Sequence, residues 1–170
     1  MYTKIMSGFV KAQEAAAPKS TWGSYLAIVY AALLVILSVA QLFSFETFSS
    51  VILSYWLPVS QPATHLIAAL IVTVEVFSIP FLLRMKLSVA MRWFSMFLGW
   101  LAAAWWLFIS LWMLLTTNAI TNSGVLGTAI PLKPGWWLLI LSGLMVALAI
   151  KAAWGLWPAR HGKLSAKLKK

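Results

Sequence analysis

The sequence predicts an all-α membrane protein with four transmembrane helices in an antiparallel bundle and a short amphipathic helix after the first span. The chain is 62% hydrophobic and 9% charged, whereas soluble globular proteins average about 45–50% and about 25%. Its four apolar stretches each approach the roughly 20 residues that a spanning helix needs. Of the 13 Lys and Arg residues, all except Lys133 fall on one side of these stretches. Cytoplasmic loops carry such an excess, so we predict a bacterial-type inner membrane protein with both termini in the cytoplasm.

The predicted spans lie between an N-terminal cytoplasmic arm, residues 1–21, and a basic cytoplasmic tail, residues 158–170. They cover about residues 22–43, 63–83, 93–115 and 135–157. No charged residue occurs between Lys19 and Glu46, and this interval is long enough for a helix to cross a bilayer. Most tryptophans lie near the ends of the predicted spans, where indole rings concentrate at membrane interfaces.

Two segments on the predicted outer side follow different patterns. In the first, apolar residues recur at helical spacing with serines between them: Phe45, Phe48, Val51, Ile52, Tyr55 and Trp56. This pattern predicts a short amphipathic helix that lies flat on the outer membrane face. The second segment, residues 121–134, is polar and contains glycine and proline. It is either an ordinary surface loop, which physical reasoning alone favours, or a segment that folds back into the bundle.

Two pairs of small residues at four-residue spacing occur in the last two spans: Gly99 with Ala103, and Gly143 with Ala147. Small residues allow helix backbones to approach each other closely in a membrane. We expect both pairs to pack within the monomer rather than to form a dimer interface.

Glu75 is the one acidic residue predicted to lie inside a span. It precedes Arg84 by nine residues, which places it roughly 13 Å from that end of the helix at about 1.5 Å per residue. A charged carboxylate at this depth costs at least about 2.5–3.5 kcal/mol, so it must face the bundle and find a partner or be protonated. Two interpretations stay open: a group that accepts a proton or anchors a headgroup or quinone oxygen, and a protonated carboxyl whose interhelical hydrogen bond fixes packing.

The candidate partners of Glu75 are polar residues of the first two spans, or tryptophan and serine side chains of the third span. Ser38 and Gln41 lie in the first span, and Ser78 follows Glu75 by one turn. His65 lies ten residues before Glu75, about 15 Å away along the helix axis, so the two side chains cannot bond directly. An interfacial polar residue is a simpler interpretation of His65 than a ligand, since a bis-histidine haem site would need a second histidine within a span.

Four tryptophans in the third span lie deeper than interfacial indole rings normally do: Trp100, Trp105, Trp106 and Trp112. They form either an aromatic wall against a quinone, a carotenoid or a neighbouring subunit, or ordinary contacts with the core and with lipid. The second interpretation is the simpler one. No catalytic residue is identified, since no nucleophile–base pair or phosphate loop is evident.

The residue types also limit the chemistry of the chain. Cysteine is absent, which excludes thiol chemistry and thiolate metal sites. No metal-ligand spacing is evident, so neither a metal nor an intrinsic cofactor is predicted. The net charge of +10 does not predict nucleic-acid binding, because the basic residues flank spans and fill the tail. It predicts attraction to the anionic lipids of the cytoplasmic leaflet.

The arrangement of these features resembles that of the MauE/DoxX-like membrane proteins. The segments that carry the resemblance are Phe48–Pro58 (FSSVILSYWLP), Val74–Val76 around the glutamate, and Asn122–Gly127 ahead of Pro134–Trp137. The resemblance covers roughly residues 22–157 and implies four helices, an amphipathic outer segment and a glutamate in the second helix. Two departures limit it. Gln41 stands about where many relatives have a lysine, and the loop before the last span lacks a cysteine, so a thiol-relay role does not carry over.

The resemblance implies a link to membrane oxidoreductase systems, including thiosulfate:quinone oxidoreduction. We therefore expect a non-catalytic accessory or assembly subunit of a membrane electron-transfer complex, in contact with other membrane-protein subunits. One alternative is a quinone-interacting oxidoreductase subunit that holds quinone or lipid near Glu75 and the tryptophans of the third span. The other is a small proton-coupled transporter that uses Glu75, although no inverted repeat or broken helix is evident.

Overall fold

The computed structural model describes residues 11–55, 60–116 and 120–157. Within these ranges the chain forms five α-helices and no β-strand, apart from an isolated antiparallel bridge between Gln13 and Leu87. The helices are α1 (Thr21–Phe43), α2 (Phe45–Leu53), α3 (Gln61–Leu82), α4 (Val89–Thr116) and α5 (Trp136–Leu156). The predicted basic tail, residues 158–170, lies outside the described residues.

Four of these helices, α1, α3, α4 and α5, are long and apolar enough to cross a membrane. The predicted all-α class is therefore confirmed for the described residues, and these four helices are consistent with the four predicted spans. Helix α4 begins at Val89 rather than near residue 93, because the Ser88 hydroxyl caps its first turn and accepts a hydrogen bond from the Met91 N–H at 3.2 Å. Ser20 caps α1 in the same way and accepts from the Gly23 N–H at 3.0 Å.

Each of the four long helices packs mainly against two others: α1 against α3 and α5, and α4 against α3 and α5. Helices α1 and α5 approach closely where a Cβ added to Gly23 would lie 2.7 Å from the Gly155 Cα. Gly23 is near the start of α1 and Gly155 near the end of α5, so these two helices run antiparallel. Their backbones touch because neither residue has a side chain.

The two predicted pairs of small residues behave differently. Gly99 and Ala103 are buried in α4, and a Cβ on Gly99 would meet the Ser78 Cβ at an ordinary 3.6 Å. Gly143 and Ala147 are exposed, and a Cβ on Gly143 would meet no atom within 4 Å. The expectation that the second pair packs within the monomer is therefore wrong, because α5 buries a different face.

Helix α2 and residues 120–135 form one end of the molecule, which we call the loop end. Phe48 and Ile52 of α2 are fully buried there, and Phe48 lies beside Gly124. The prediction of a short helix after the first span is confirmed, but its apolar residues pack against the protein instead of entering a membrane surface. Trp56, part of the same predicted pattern, lies outside the described residues.

Residues 120–135 fold onto the ends of α1 and α2. The Gln41 amide donates to the Val125 carbonyl oxygen at 3.1 Å, and the Tyr55 hydroxyl donates to the Ser123 carbonyl oxygen at 2.8 Å. Val125 is only 2% exposed. The interpretation as an ordinary surface loop is therefore wrong: side chains from the helices supply the hydrogen bonds that buried loop backbone requires.

The opposite end of the molecule, which we call the arm end, contains residues 11–20 and the turn between α3 and α4. Arg84 donates to the Ala16 carbonyl oxygen at 3.1 Å, and Arg92 donates to the Gln13 carbonyl oxygen at 3.2 Å. The described part of the predicted N-terminal arm is thus docked against the helix ends by two guanidinium groups.

Candidate functional site

Glu75 of α3 is fully buried, at 0% exposure, where α1, α3 and α4 meet. Trp106 of α4 donates its indole N–H to Oε1 of Glu75 at 2.7 Å. Gln41 of α1 donates to the same oxygen in a longer contact of 3.4 Å. Within the described ranges no cationic side chain pairs with this carboxyl. The centre is therefore held by neutral donors, which agrees with the high cost of burying charge in an apolar region.

Two hydroxyl groups donate to backbone carbonyl oxygens near Glu75, one within α3 and one between α1 and α4. Ser78 donates to the carbonyl oxygen of Glu75 itself at 2.6 Å, and Tyr30 of α1 donates to the Gly99 carbonyl oxygen of α4 at 2.7 Å. Since a carbonyl oxygen has two lone pairs, each of these oxygens can take a second hydrogen bond besides the one within its helix. The tyrosine hydrogen bond holds α1 against α4.

Ser95 of α4 inserts into the hydrogen-bond ladder of α3 close to Pro80, which has no N–H to donate. Its hydroxyl donates to the Phe77 carbonyl oxygen at 2.6 Å and accepts from the Phe81 N–H at 3.1 Å. Ser95 therefore bridges a backbone pair that an undisturbed helix would join directly. This contact fixes the register of α3 against α4 between Glu75 and the arm end.

The second carboxyl oxygen of Glu75, Oε2, is buried and has no hydrogen-bond partner among the described residues. Because Oε1 already accepts two hydrogen bonds, a proton on this carboxyl would be placed on Oε2, which would then act as a donor. Leaving a buried polar group unpaired costs about 1–3 kcal/mol. Oε2 is one of two oxygens at this centre that are unpaired among the described residues, the other being Oε1 of Gln41.

A cleft of about 220 Å³ lies between α3 and α4, with Glu75 in its wall. We call it the Glu75 cleft. Its other walls are apolar side chains together with the rings of Trp105 and Trp106. Leu70 and Leu101 at its edge are 58% and 39% exposed, so the cleft opens on the apolar outer surface of the two helices. The indole N–H of Trp105 is buried without a hydrogen-bond partner among the described residues.

The cleft has the chemistry of a small-molecule site, namely apolar walls with a few polar groups that fix orientation. Its volume of about 220 Å³ is below the roughly 300–1,000 Å³ of sites that enclose a drug-sized ligand. It therefore suits a ring-sized group whose remainder stays outside. Glu75 and Trp105, whose Oε2 and indole N–H have no hydrogen-bond partner among the described residues, both line this cleft.

The structure brings some of the predicted site residues together and separates others. Gln41 contacts the Glu75 carboxyl, whereas Ser78 bonds only its backbone carbonyl. Ser38 donates to the Val35 carbonyl oxygen of its own helix at 3.2 Å and does not reach the carboxyl. His65 is exposed on α3 and takes no part in the centre.

The four deep tryptophans do not form one wall. Trp106 bonds Glu75 and Trp105 lines the cleft, but Trp112 donates to the Tyr55 carbonyl oxygen at 2.7 Å. Trp100 is 44% exposed and lies outside the cleft. Sequence reasoning missed Tyr30, although a phenol in the middle of an apolar span is a signal of a buried hydrogen bond.

Among the described residues no group of three or more His, Cys, Asp or Glu side chains could hold a metal ion. No protein-family model matches the chain, and neither a curated protein nor a solved structure matches it. The resemblance to MauE/DoxX-like proteins therefore stays a prediction. The function has to be argued from the geometry around Glu75.

Proposed function

We propose that this protein is a quinone-binding accessory subunit of a membrane electron-transfer complex, and that the Glu75 cleft holds the quinone headgroup. The observation that carries the proposal is a pair of unpartnered groups, the Trp105 N–H and Oε2 of Glu75, on residues that line one apolar cleft. A quinone offers two carbonyl acceptors on a flat ring. Its ring suits the volume of the cleft, and its apolar tail would extend among the lipid acyl chains.

The depth of the site supports a lipid-soluble ligand. Glu75 is three residues from the centre of the apolar segment Pro62–Leu82, a distance of about 4–5 Å along the helix. The cleft opens sideways, past the exposed leucines at its edge. A molecule dissolved in the bilayer can reach this opening directly. A polar, water-soluble substrate would have to enter the apolar region of the bilayer first.

The accessory role follows from the small number of reactive groups in the chain, which has three acidic residues, two histidines and no cysteine. We propose that electrons reach the quinone from a partner subunit that carries the redox groups. The resemblance to MauE/DoxX-like proteins supports the same role. In this arrangement Glu75, Trp105 and Trp106 bind and orient the headgroup but do not transfer electrons.

We further propose that the protein lies in a bacterial-type inner membrane with its arm end and both termini in the cytoplasm. Arg84, Lys86 and Arg92 lie at the arm end, whereas Lys133 lies at the loop end. This asymmetry supports the orientation through the known excess of Lys and Arg in cytoplasmic loops.

The binding proposal is tested by titrating a short-chain quinone into the purified protein in a mild detergent and following the quenching of tryptophan fluorescence. We expect saturable binding in the native chain. Trp105→Phe keeps the aromatic wall but removes the N–H, and should weaken binding roughly two- to tenfold, the effect of one neutral hydrogen bond. Glu75→Gln keeps an acceptor for the Trp106 N–H and places an amide N–H where the Oε2–H donor stands, so it should leave binding nearly unchanged. Glu75→Leu removes the donor and should weaken binding by a factor similar to that of Trp105→Phe.

Trp100→Phe is the matched control, because Trp100 lies on the same helix but outside the cleft. It should leave the dissociation constant unchanged. Non-saturable quenching in the native chain, or equal effects of Trp105→Phe and Trp100→Phe, would contradict the proposal. Extraction of the protein from native membranes followed by lipid mass spectrometry should identify the bound quinone.

The accessory role has its own test. A tagged chain solubilised gently from native membranes should copurify with stoichiometric subunits that carry redox groups. Recovery of the chain alone, with quinone bound, would retain the quinone site and remove the accessory assignment.

A further inference from the structure

A second cleft, of about 160 Å³, lies at the arm end between residues 11–20 and the start of α4. We call it the arm-end cleft. Its lining combines the guanidinium group of Arg92 with the apolar side chains of Trp93, Met96 and Trp157. Trp93 and Trp157 meet edge to face, with their ring centroids 4.5 Å apart. A cation beside an aromatic wall at the end of apolar helices has no role in the Glu75 site.

Two arginines face this region with donors to spare. Arg92 also lines a smaller hollow next to the cleft, together with Arg84. Each guanidinium group carries five N–H donors, and each has one hydrogen bond here, to a carbonyl oxygen of the arm. The Nε of Arg84 is buried and has no hydrogen-bond partner among the described residues. Arg92 therefore has N–H donors left within the cleft for an acceptor with several oxygens, and Arg84 lies in the adjoining hollow.

The local charge favours an anion. Arg84, Arg92 and Lys86 lie around the cleft, and Glu14 is the acidic residue in its lining. Glu14 is already paired with the Lys86 ammonium at 2.9 Å, so its carboxylate is compensated. The two guanidinium groups remain without an ionic partner among the described residues.

We propose that the arm-end cleft binds the phosphate group of an anionic phospholipid. Guanidinium groups match the geometry of phosphate oxygens and bond them in pairs. Basic pockets at the ends of membrane helices are a known type of lipid headgroup site. The apolar side chains of Trp93 and Met96 provide a surface for the glycerol and the first acyl carbons of a lipid. Free phosphate has no apolar part that could use this surface. This inference does not depend on the quinone proposal or on which leaflet contains the arm end.

The test compares phosphatidylglycerol, phosphatidylcholine and inorganic phosphate as additions to the full-length protein in neutral detergent, with binding counted by native mass spectrometry. We expect phosphatidylglycerol to bind about tenfold more tightly than phosphatidylcholine. Arg92→Gln should reduce this preference about fivefold, the factor equivalent to about 1 kcal/mol per basic residue near a membrane surface. Arg92→Lys keeps the charge but loses the planar fork, so it should recover part of the preference.

Lys151→Gln is the matched control. Lys151 is exposed near the C-terminal end of α5, at the arm end of the molecule, and does not line the cleft. It should leave the preference unchanged. Equal binding of the two lipids, or equal losses in Arg92→Gln and Lys151→Gln, would overturn the proposal. Inorganic phosphate that displaces phosphatidylglycerol at equal concentration would also overturn it, because the site would then recognise a soluble phosphate rather than a lipid.

Discussion

The loop end and the arm end of the molecule are held together by different chemistry. At the loop end, neutral groups bond to buried backbone: Tyr55 donates to the Ser123 carbonyl oxygen at 2.8 Å and accepts at its own carbonyl from Trp112 at 2.7 Å. At the arm end, charged side chains make the contacts. The pair of Lys86 and Glu14, at 2.9 Å, has side chains that are 73% and 79% exposed.

Because of this difference, we expect the contacts of the loop end to contribute more to the stability of the fold than those of the arm end. Buried hydrogen bonds are expensive to break, since each leaves an unpaired polar group, whereas exposed ion pairs contribute little. The loop end also reaches the candidate site, because the Gln41 amide contacts both the Val125 carbonyl oxygen and Glu75. We therefore expect the loop end to act as a rigid cover over the Glu75 site and the arm end to tolerate change.

The largest loss of stability is expected from Gly124→Ala at the loop end. Gly124 has a φ of 68°, in the left-handed region that side chains disfavour. An added Cβ would also overlap the Tyr55 hydroxyl and lie 3.1 Å from the Val51 side chain. We expect the free energy of unfolding to fall by about 2–4 kcal/mol, measured by titration with a denaturing detergent in mixed micelles.

Gly143→Ala is the control for this substitution. A Cβ at that position meets nothing within 4 Å, so the variant should unfold like the native chain or slightly later. Equal unfolding of Gly124→Ala and the native chain would show that the loop does not pack on α2 as described.

A smaller loss is expected from Tyr55→Phe, which removes the donor to the Ser123 carbonyl oxygen but keeps the ring. The expected cost is about 1–2 kcal/mol. Burial raises the pKa of the Tyr55 hydroxyl, so its contribution to stability is complete below the unfolded pKa of about 10 and declines as the pH rises above it. The difference in unfolding free energy between the native chain and Tyr55→Phe should therefore narrow above about pH 10.

Tyr25→Phe is the control for that experiment, since Tyr25 is 66% exposed. It should unfold like the native chain at neutral pH. A difference between the native chain and Tyr55→Phe that stays constant across this pH range would contradict the burial of the Tyr55 hydroxyl.

The sequence was sufficient to predict the parts of the fold that depend on amino-acid composition and on the spacing of apolar residues. Four long apolar helices follow from hydrophobic length alone, and Glu75 was identified as buried because a carboxyl in an apolar span has to face protein. Gln41 was one of several candidate partners, and its side chain contacts the carboxyl.

The remaining features depend on tertiary contacts that a single sequence does not contain. Trp105 and Trp106 are adjacent in α4, so their side chains point in directions about 100° apart around the helix axis. Because α4 is apolar on most faces, the spacing of its apolar residues does not show which of the two tryptophans faces Glu75. The folding of residues 120–135 onto the helices depends on distant donors such as Gln41 and Tyr55. Local composition suggested a surface loop because it does not include those donors.

The smallest effect is expected at the arm end, from the ion pair of Lys86 and Glu14. Both side chains are mostly exposed, and exposed pairs contribute about 0.2–1 kcal/mol in double-mutant cycles. The cycle of Lys86→Ala, Glu14→Ala and the double variant should therefore give a coupling energy in that range, and high salt should reduce it. A coupling above that range, or one that salt leaves unchanged, would mean that the pair is shielded from water, so that the arm end resembles the loop end in its construction.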